Sequence, residues 1–357
     1  MTRWGSMPAR TNGLPARVLA QFPAVRGYLD TATSGVPPLA AVAAMRAAVS
    51  TWAHGRIDGA SYDDAVERSR QAFASIVGVD RQDVAQGAQV SVFAGLVAAS
   101  LPSHARVLTA VGDFTSVLFP ALAQQARGVQ VREVALEALV EAIDARTDLV
   151  AVSAVQSADG RVLDLDALAA AADHHGASVL LDATQACGWL PVDATRFAYV
   201  VAGAYKWLCS PRGTAFMAVQ PEALERVTPH AAGWYAAAEP WDTCYGGPLR
   251  LPATARRLDV SPAWACWAGT APALELLAGL GVDAIAAHDL ALSERLQAGL
   301  GLAPTGSAIV RCAIPDAATR LQAAGIKASV RAGQVRLSCH LPATTEDIDR
   351  CLEALLA

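Results

Sequence analysis

At 357 residues the chain is longer than the ~100–200 residues of a typical single core, so its length points to two packed domains. It is 53% apolar and 17% charged, which excludes a chain disordered over most of its length. The net charge of −5 comes from intermixed acids and bases with no Lys/Arg run, which argues against a nucleic-acid partner, and no apolar stretch reaches the ~18–20 uninterrupted residues of a spanning helix.

Residues 1–17 carry three Arg but no following apolar run of the kind a secretion signal needs, so a cytoplasmic protein with no membrane partner is expected. Residues 1–27 read as an N-terminal arm packing on the smaller domain. Between 85 and 220, short β-branched or Leu-rich runs alternate with Ala-rich helical stretches, the pattern of βαβ units around a mainly parallel sheet. The clearest strands are 106–110, 129–134, 149–155, 178–182 and 198–201. Helices are expected at 92–100, 118–128 and 165–176, the last closed by its C-terminal Gly176. Residues 28–252 are therefore expected to form a large α/β domain.

Beyond 252 the order changes. Helices 265–280 and 283–299, strands 308–313 and 334–339, and helices 317–324 and 345–357 make 253–357 a smaller α+β domain. Thr344, followed by Glu346 and Asp347, marks the start of the last helix. The seven Cys form no CxxC and no Cys/His spacing suited to zinc, and His174-His175 closes a helical run where the dipole favours positive charge. No metal is expected, and the thiols read as reduced and mostly buried.

The chemistry begins at Asp182, where the run Val179-Leu180-Leu181 brings a buried strand to its end. Parallel α/β sheets bind ligands outside the carboxyl ends of their strands, although an acid at a strand end alone is equally a cap. The next strand leads into Gly203-Ala204-Tyr205-Lys206-Trp207, and Lys206 stands 24 residues after Asp182, between Tyr and Trp and ahead of Pro211-Arg212-Gly213. A snorkelling surface lysine is the ordinary alternative. The spacing favours pyridoxal phosphate (PLP), which needs a lysine amine for its imine and a carboxylate that keeps the pyridine nitrogen protonated.

Taken together, the motifs resemble the class V aminotransferase family of fold-type I PLP enzymes, which includes cysteine desulfurases, kynureninase and isopenicillin N epimerase. They begin with Tyr28-Leu29-Asp30-Thr31-Ala32-Thr33-Ser34-Gly35 and continue through Asp182-Ala183-Thr184-Gln185, Tyr205-Lys206-Trp207 and Pro211-Arg212-Gly213. They close with Arg336-Leu337-Ser338-Cys339-His340, so the likeness spans nearly the whole chain.

The resemblance implies the fold-type I architecture and a set of roles. Lys206 matches the Schiff-base lysine, Asp182 the partner of the pyridine nitrogen, and Gln185 the residue bonded to the cofactor's phenolic oxygen. Phe114 falls where the family stacks an aromatic ring, with a core Phe under the sheet as the alternative. The phosphate is expected on Gln89, Val90 and Ser91 ahead of a helix, with Ser91 as the helix N-terminal residue, and on Tyr205 in place of the desulfurases' His. Ser261 resembles the segment that reaches the neighbouring subunit's phosphate, which implies a homodimer; a turn start before Pro262 is the alternative. Ser157 stands where the family carries Asn. Arg336 is expected to bind the substrate carboxylate, with Arg331 as a second candidate and a surface ion pair as the alternative for both.

The desulfurase loop that carries a persulfide-forming Cys is absent between Arg331 and Arg336, and Cys339 is expected to pack in the core. The implied enzyme acts at Cα of a small amino acid through an external aldimine, with Lys206 as base. The expected outcome is transamination or β-elimination of the C–S type, with Tyr235 of the aromatic 234–245 segment on the substrate side. Epimerisation is the next alternative, and a non-catalytic binding protein on the same fold is the alternative of another class.

Overall fold

The computed structural model describes Leu14 and residues 16–357; the remainder of the expected arm lies outside the described residues. Helix α1 (Ala16–Leu19) is the first element among the described residues, and Phe22 already enters the main core. Arg26 and Gly27 then reach the smaller body: Arg26 pairs with Glu346, and the Gly27 amide donates to Asp347 at 2.8 Å. The described part of the arm thus touches both bodies.

Helices α2 (Leu39–Ala53) and α3 (Asp63–Val77) precede the sheet, which consists of β1 (Val84–Gly87), β2 (Arg106–Ala110), β3 (Gln130–Val134), β4 (Leu149–Ser153), β5 (Ser178–Asp182), β6 (Tyr199–Gly203) and β7 (Ala215–Val219). Among these strands lie α4 (Val90–Ser100), α5 (Thr115–Leu122) and α6 (Leu165–His175), and α7 (Pro221–Leu224) follows. The order is β1-β7-β6-β5-β4-β2-β3, and β7 alone runs antiparallel to its neighbours. Strands β4, β6 and β7 are buried at every residue because helices cover both faces, which is why they read as unbroken apolar runs. Edge strand β3 instead exposes Arg132 and Glu133.

Register places the functional ends side by side. Ser153 pairs with Asp182, and Asp182 with Val201, so the carboxyl ends of β4, β5 and β6 form one rim. The strand expected over 198–201 runs two residues further toward Lys206, and the one expected over 149–155 stops at Ser153. The helix expected at 118–128 instead starts at Thr115, ends at Leu122, and is followed by a separate turn at Gln125–Arg127. Strands β1 and β7 are additions to the sequence reading.

Helix α8 (Trp264–Leu280) packs against α2 and α3, and its Trp267, Leu274 and Leu277 belong to the main core. Helix α9 (Val282–Gly299) contributes Ile285 to that core and Leu292 and Leu296 to the second one. The change of core thus falls within α9 rather than at residue 253. The smaller body adds β8 (Ile309–Cys312), α10 (Ala317–Ala323), β9 (Ser329–Arg331), β10 (Gln334–Ser338) and α11 (Thr345–Leu356), in an antiparallel sheet of order β8-β10-β9. Tyr28 and Asp30 bridge to Lys327 and Ser338, so the opening motif lies along this small sheet. Thr344 and Asp347 cap α11 reciprocally.

Candidate active site

Lys206 sits three residues beyond β6 in a tightly closed turn. The Cys209 amide donates to the Lys206 carbonyl at 3.0 Å, and Cys209 takes the left-handed conformation at φ 51°. Two glycines let other chain segments press on this turn. A Cβ on Gly35 would lie 2.0 Å from the Lys206 carbonyl oxygen, and one on Gly188 would lie 2.7 Å from that of Trp207. The Gly35 amide donates to the Tyr205 carbonyl at 2.8 Å, so the opening motif holds the lysine turn directly.

The Lys206 amine is 5.3 Å from the centre of the Phe114 ring and 5.7 Å from that of Tyr205. Burial pushes its pKa down to about 8; Asp182 pulls it upward, and Arg336, Arg331 and Arg212 reinforce the fall. Burial likewise pushes the Asp182 carboxyl up, opposed by the Thr184 amide, which donates to it at 2.8 Å, and by the Lys206 charge.

Phe114 is 43% exposed and lines the cavity, so the reading of a core Phe under the sheet is set aside. Buried Asp113 fixes this wall. It accepts from the Phe114 amide at 2.6 Å and from the Ser153 amide at 2.8 Å, tying the segment after β2 to the end of β4.

Ala88, Gln89, Val90 and Ser91 form the opposite end of the same cavity. Helix α4 begins at Val90 with Gln89 as its N-cap, so Ser91 is the second helical residue rather than the first. The extended backbone of Gln89 (φ −155°, ψ 149°) starts the helix early, and no side chain caps it. Tyr205 and Arg212 complete this end, the guanidinium lying 4.6 Å from the centre of the Tyr205 ring. Among the described residues Arg212 makes no ion pair. The Pro211-Arg212-Gly213 turn is the sequence signal that marks its place, and the motif alone assigns it no role.

Arg336 is buried (1% exposed) and donates to the Ser157 carbonyl at 2.6 Å, to its hydroxyl at 3.2 Å, and to Thr33 Oγ1 at 2.8 Å. It is therefore no surface ion pair. Burial, reinforced by Arg331 and offset by Asp30, lowers its pKa to about 10. Its Nε and the Asp30 Oδ1 that lies 3.8 Å from Nη2 are buried without a hydrogen-bond partner. Arg331 is exposed and reaches the same Thr33 hydroxyl at 3.2 Å.

Gln185 is more constrained than its motif implies. Its amide nitrogen donates to the Ala32 carbonyl at 3.0 Å and to Ser157 Oγ at 2.9 Å, while its Oε1 accepts from the Trp207 indole at 2.8 Å. Bonding any further acceptor requires Gln185 to release Ala32 or Ser157. Ser157, whose role the sequence left open, joins Gln185 to Arg336.

Arg336 meets the cavity wall through Ser157 without lining the cavity, and Arg331 does not line it either. Two further expected positions fall elsewhere. Tyr235 is buried (3% exposed), donates to Asp63 at 2.8 Å and does not line this cavity, because its short helix packs inward behind α3. Ser261 is exposed and likewise stands away from the chain's own cavity. Cys339 is fully enclosed, and burial raises its thiol pKa far above the ordinary value.

A buried amine of lowered basicity, a buried carboxylate beside it, an aromatic face and an uncapped helix start joined by a free guanidinium fit the aldehyde, ring nitrogen, ring face and phosphate of PLP. The model for the family described as aminotransferase class-V matches residues 28–322. The uncharacterized aminotransferase YcbU of Bacillus subtilis (strain 168) is 26% identical over 332 residues, covering 84% of this chain and 86% of that protein. Isopenicillin N epimerase of Streptomyces clavuligerus is 26% identical over 339 residues, covering 81% and 83%. Among solved structures, the cystine C-S lyase C-DES with its product cysteine persulfide superposes with a TM-score of 0.83 at 21% identity, covering 93% of this chain and 97% of that one. A C-DES variant with glycine covalently linked to its PLP cofactor gives 0.84 at 22% identity, covering 94% and 98%.

Proposed function

The chain belongs to the aminotransferase class-V family and is a PLP-dependent transferase or lyase of the fold-type I architecture; from that premise we propose that it removes the Cα proton of a small amino acid and completes either transamination or elimination of a β-substituent. The observation that carries this reading is the Lys206 amine, buried yet about half neutral near pH 8, in the cavity whose wall residues Ser157 and Gln185 connect to Arg336.

Bound PLP supplies an electron sink for the bond broken at Cα. The chain's own residues supply the rest. Lys206 holds the cofactor and, once released, takes the Cα proton as a neutral amine. Asp182 holds positive charge at the ring nitrogen, and Phe114 offers its face to the ring. The α4 start with Ser91, Tyr205 and Arg212 receives the phosphate, Arg212 contributing the positive charge. Arg336, with Thr33 and Ser157 fixing its plane, receives the substrate carboxylate, and Arg331 adds charge above it.

Ser261, exposed and away from the chain's own cavity, fits a second role: reaching the cofactor of a partner copy in a homodimer. The burial of Cys339 supports a reaction without a protein persulfide, because a thiol so enclosed is neither ionised nor accessible.

The test is to load the protein with PLP, reduce one portion with borohydride and map the labelled peptide, and offer an unreduced portion a panel of amino acids. Label on Lys206 with pyridoxamine phosphate formed marks transamination, and a released keto acid with PLP retained marks elimination. Loss of chirality without either product would move the reading to epimerisation, and label on another lysine would overturn it.

A further inference from the structure

Behind the Lys206 turn, on the side away from the cavity, lies a buried polar pair that the proposed reaction does not use. His340 Nδ1 is 2.6 Å from Oδ2 of Asp289 on α9, and His340 Nε2 is 2.9 Å from the carbonyl oxygen of Trp207. Both partners only accept hydrogen bonds. A neutral imidazole has one N–H, so one of its nitrogens would turn a lone pair toward an acceptor; only the imidazolium donates to both. The side chains of His340 and Asp289 are each 0% exposed, so solvent offers no other way to satisfy the second nitrogen. The carboxylate supplies the compensating charge that a buried cation requires.

From His340 the contacts lead into the site. Its ring meets that of Trp207 edge-on at 5.2 Å, and the Trp207 indole donates to Gln185 Oε1 at 2.8 Å. Gln185 donates in turn to Ser157, which accepts from Arg336. The Trp207 carbonyl belongs to the residue directly after Lys206, in the turn on which Gly188 closes.

We propose that His340 is a positioning residue, held as an imidazolium by Asp289, whose grip on the Trp207 carbonyl fixes the turn bearing Lys206 and, through the Trp207 indole, the orientation of the Gln185 amide. His340 acts through these neighbours and touches no reacting atom. The other ionisable groups facing it are His288, beside Asp289 on α9, and Cys209 of the lysine turn. Neither is a carboxylate, and Cys209, by charge and by hydrogen bond, adds to the stabilisation that Asp289 gives the charged ring. Burial opposes the charged ring, the Asp289 carboxylate and then Cys209 favour it, and the net result lifts the ring pKa to about 10. The charge state stands independently of the cofactor; the consequence for the site rests on the reading of Lys206 given above.

The experiment has two arms. In protein labelled with ¹⁵N-histidine, long-range NMR near neutral pH is expected to show one ring protonated on both nitrogens, lost in His340→Gln and in Asp289→Asn. A His340 carrying a single proton near neutral pH overturns the proposal. In the PLP-loaded protein, the absorbance maximum of the Lys206-bound cofactor is expected to shift in both variants. It is expected to stay in place in Ile348→Ala, which loosens the small-domain core without touching this chain of contacts.

A maximum unmoved in His340→Gln and Asp289→Asn overturns the positioning role. Should either variant not fold, the wild type serves: raising the pH through about 10 is expected to remove the second ring proton and shift the maximum together, and a maximum that stays put overturns the role. Absence of any such band in the wild type is a failure of the Lys206 reading, and the NMR arm then decides the charge of His340 alone.

Discussion

Arg336 and Ser157 meet across the two bodies of the protein, 179 residues apart in sequence, with the guanidinium donating to both the carbonyl oxygen and the hydroxyl of the serine. On the proposed reading the rest of this donor fork serves a ligand, and among the described residues its Nε has no hydrogen-bond partner. Replacing Arg336 with Ala is expected to weaken amino acids roughly 10- to 150-fold, the worth of one charged hydrogen bond. An amine of the same shape lacking the carboxylate is expected to bind both forms alike. Spectral titration of the PLP form checks this; equal loss for the amine would show that Arg336 acts only in folding.

Lys206 is expected to react with PLP through its neutral form, so the rate of imine formation rises through about pH 8 rather than near 10.5. The depressed amine also sets the sign of its stability effect. The unfolded chain binds a proton that the folded one releases, so this cost is present in full below about 8 and fades as pH rises through 10.5. Stopped-flow absorbance across this range checks the first statement, and Lys206→Ala is expected to show no visible band at any pH.

Arg212, which makes no ion pair among the described residues and lies over the Tyr205 ring, is expected to act on the phosphate alone. Arg212→Ala should lower affinity for PLP by roughly tenfold, discounted for its exposure, and leave affinity for pyridoxal unchanged. Quenching of tryptophan fluorescence by the two compounds measures both. Equal losses would assign Arg212 to the ring or to the fold instead.

Gly35 has no room for a side chain, since its Cβ would lie 2.0 Å from the Lys206 carbonyl oxygen and 2.9 Å from the Cys209 Cα, both backbone atoms that cannot swing away. Gly35→Ala is expected to cost about 1–3 kcal/mol or more of stability and to reduce PLP occupancy. Gly55, with nothing within 4 Å of its Cβ position, provides the contrast: Gly55→Ala is expected to retain occupancy even though its φ of +65° costs some stability. Melting curves and the cofactor-to-protein ratio report the two effects.

The buried Asp289–His340 pair makes stability depend on pH. The folded imidazole titrates at about 10 against an ordinary 6.5, so its stabilisation is complete below about 6.5 and is lost as pH rises through about 10. Asp289→Asn is expected to cost about 3–5 kcal/mol near neutral pH, because it leaves the other partner buried alone, and to cost less as the pH is raised. Urea unfolding at several pH values checks both; a constant penalty would count against a charged pair.

Much of the fold is legible in the residues because the signals are local. Strands 106–110 and 178–182 and the end of α6 lie where the apolar runs and the Gly176 stop put them. Strands β1 and β7 are not read from the sequence, and their antiparallel edge comes from pairing across the sheet. Helix α8 read as part of the smaller domain because it follows the linker in sequence, whereas its apolar surface packs on α2 and α3.

The sequence by itself determined the placing of Lys206 and Asp182 at successive strand ends, and the family resemblance added Phe114, the α4 start and Arg336 as expected site positions. Residue type and spacing suffice for the first two because each follows from its own strand. Tertiary structure alone decided what holds those groups in place. Tyr235 turned to Asp63, Arg212 joined the phosphate end, Ser157 linked Gln185 to Arg336, and His340 closed on Trp207 from 133 residues away. Such contacts depend on how two separately packed cores meet, and no local pattern of residues encodes that.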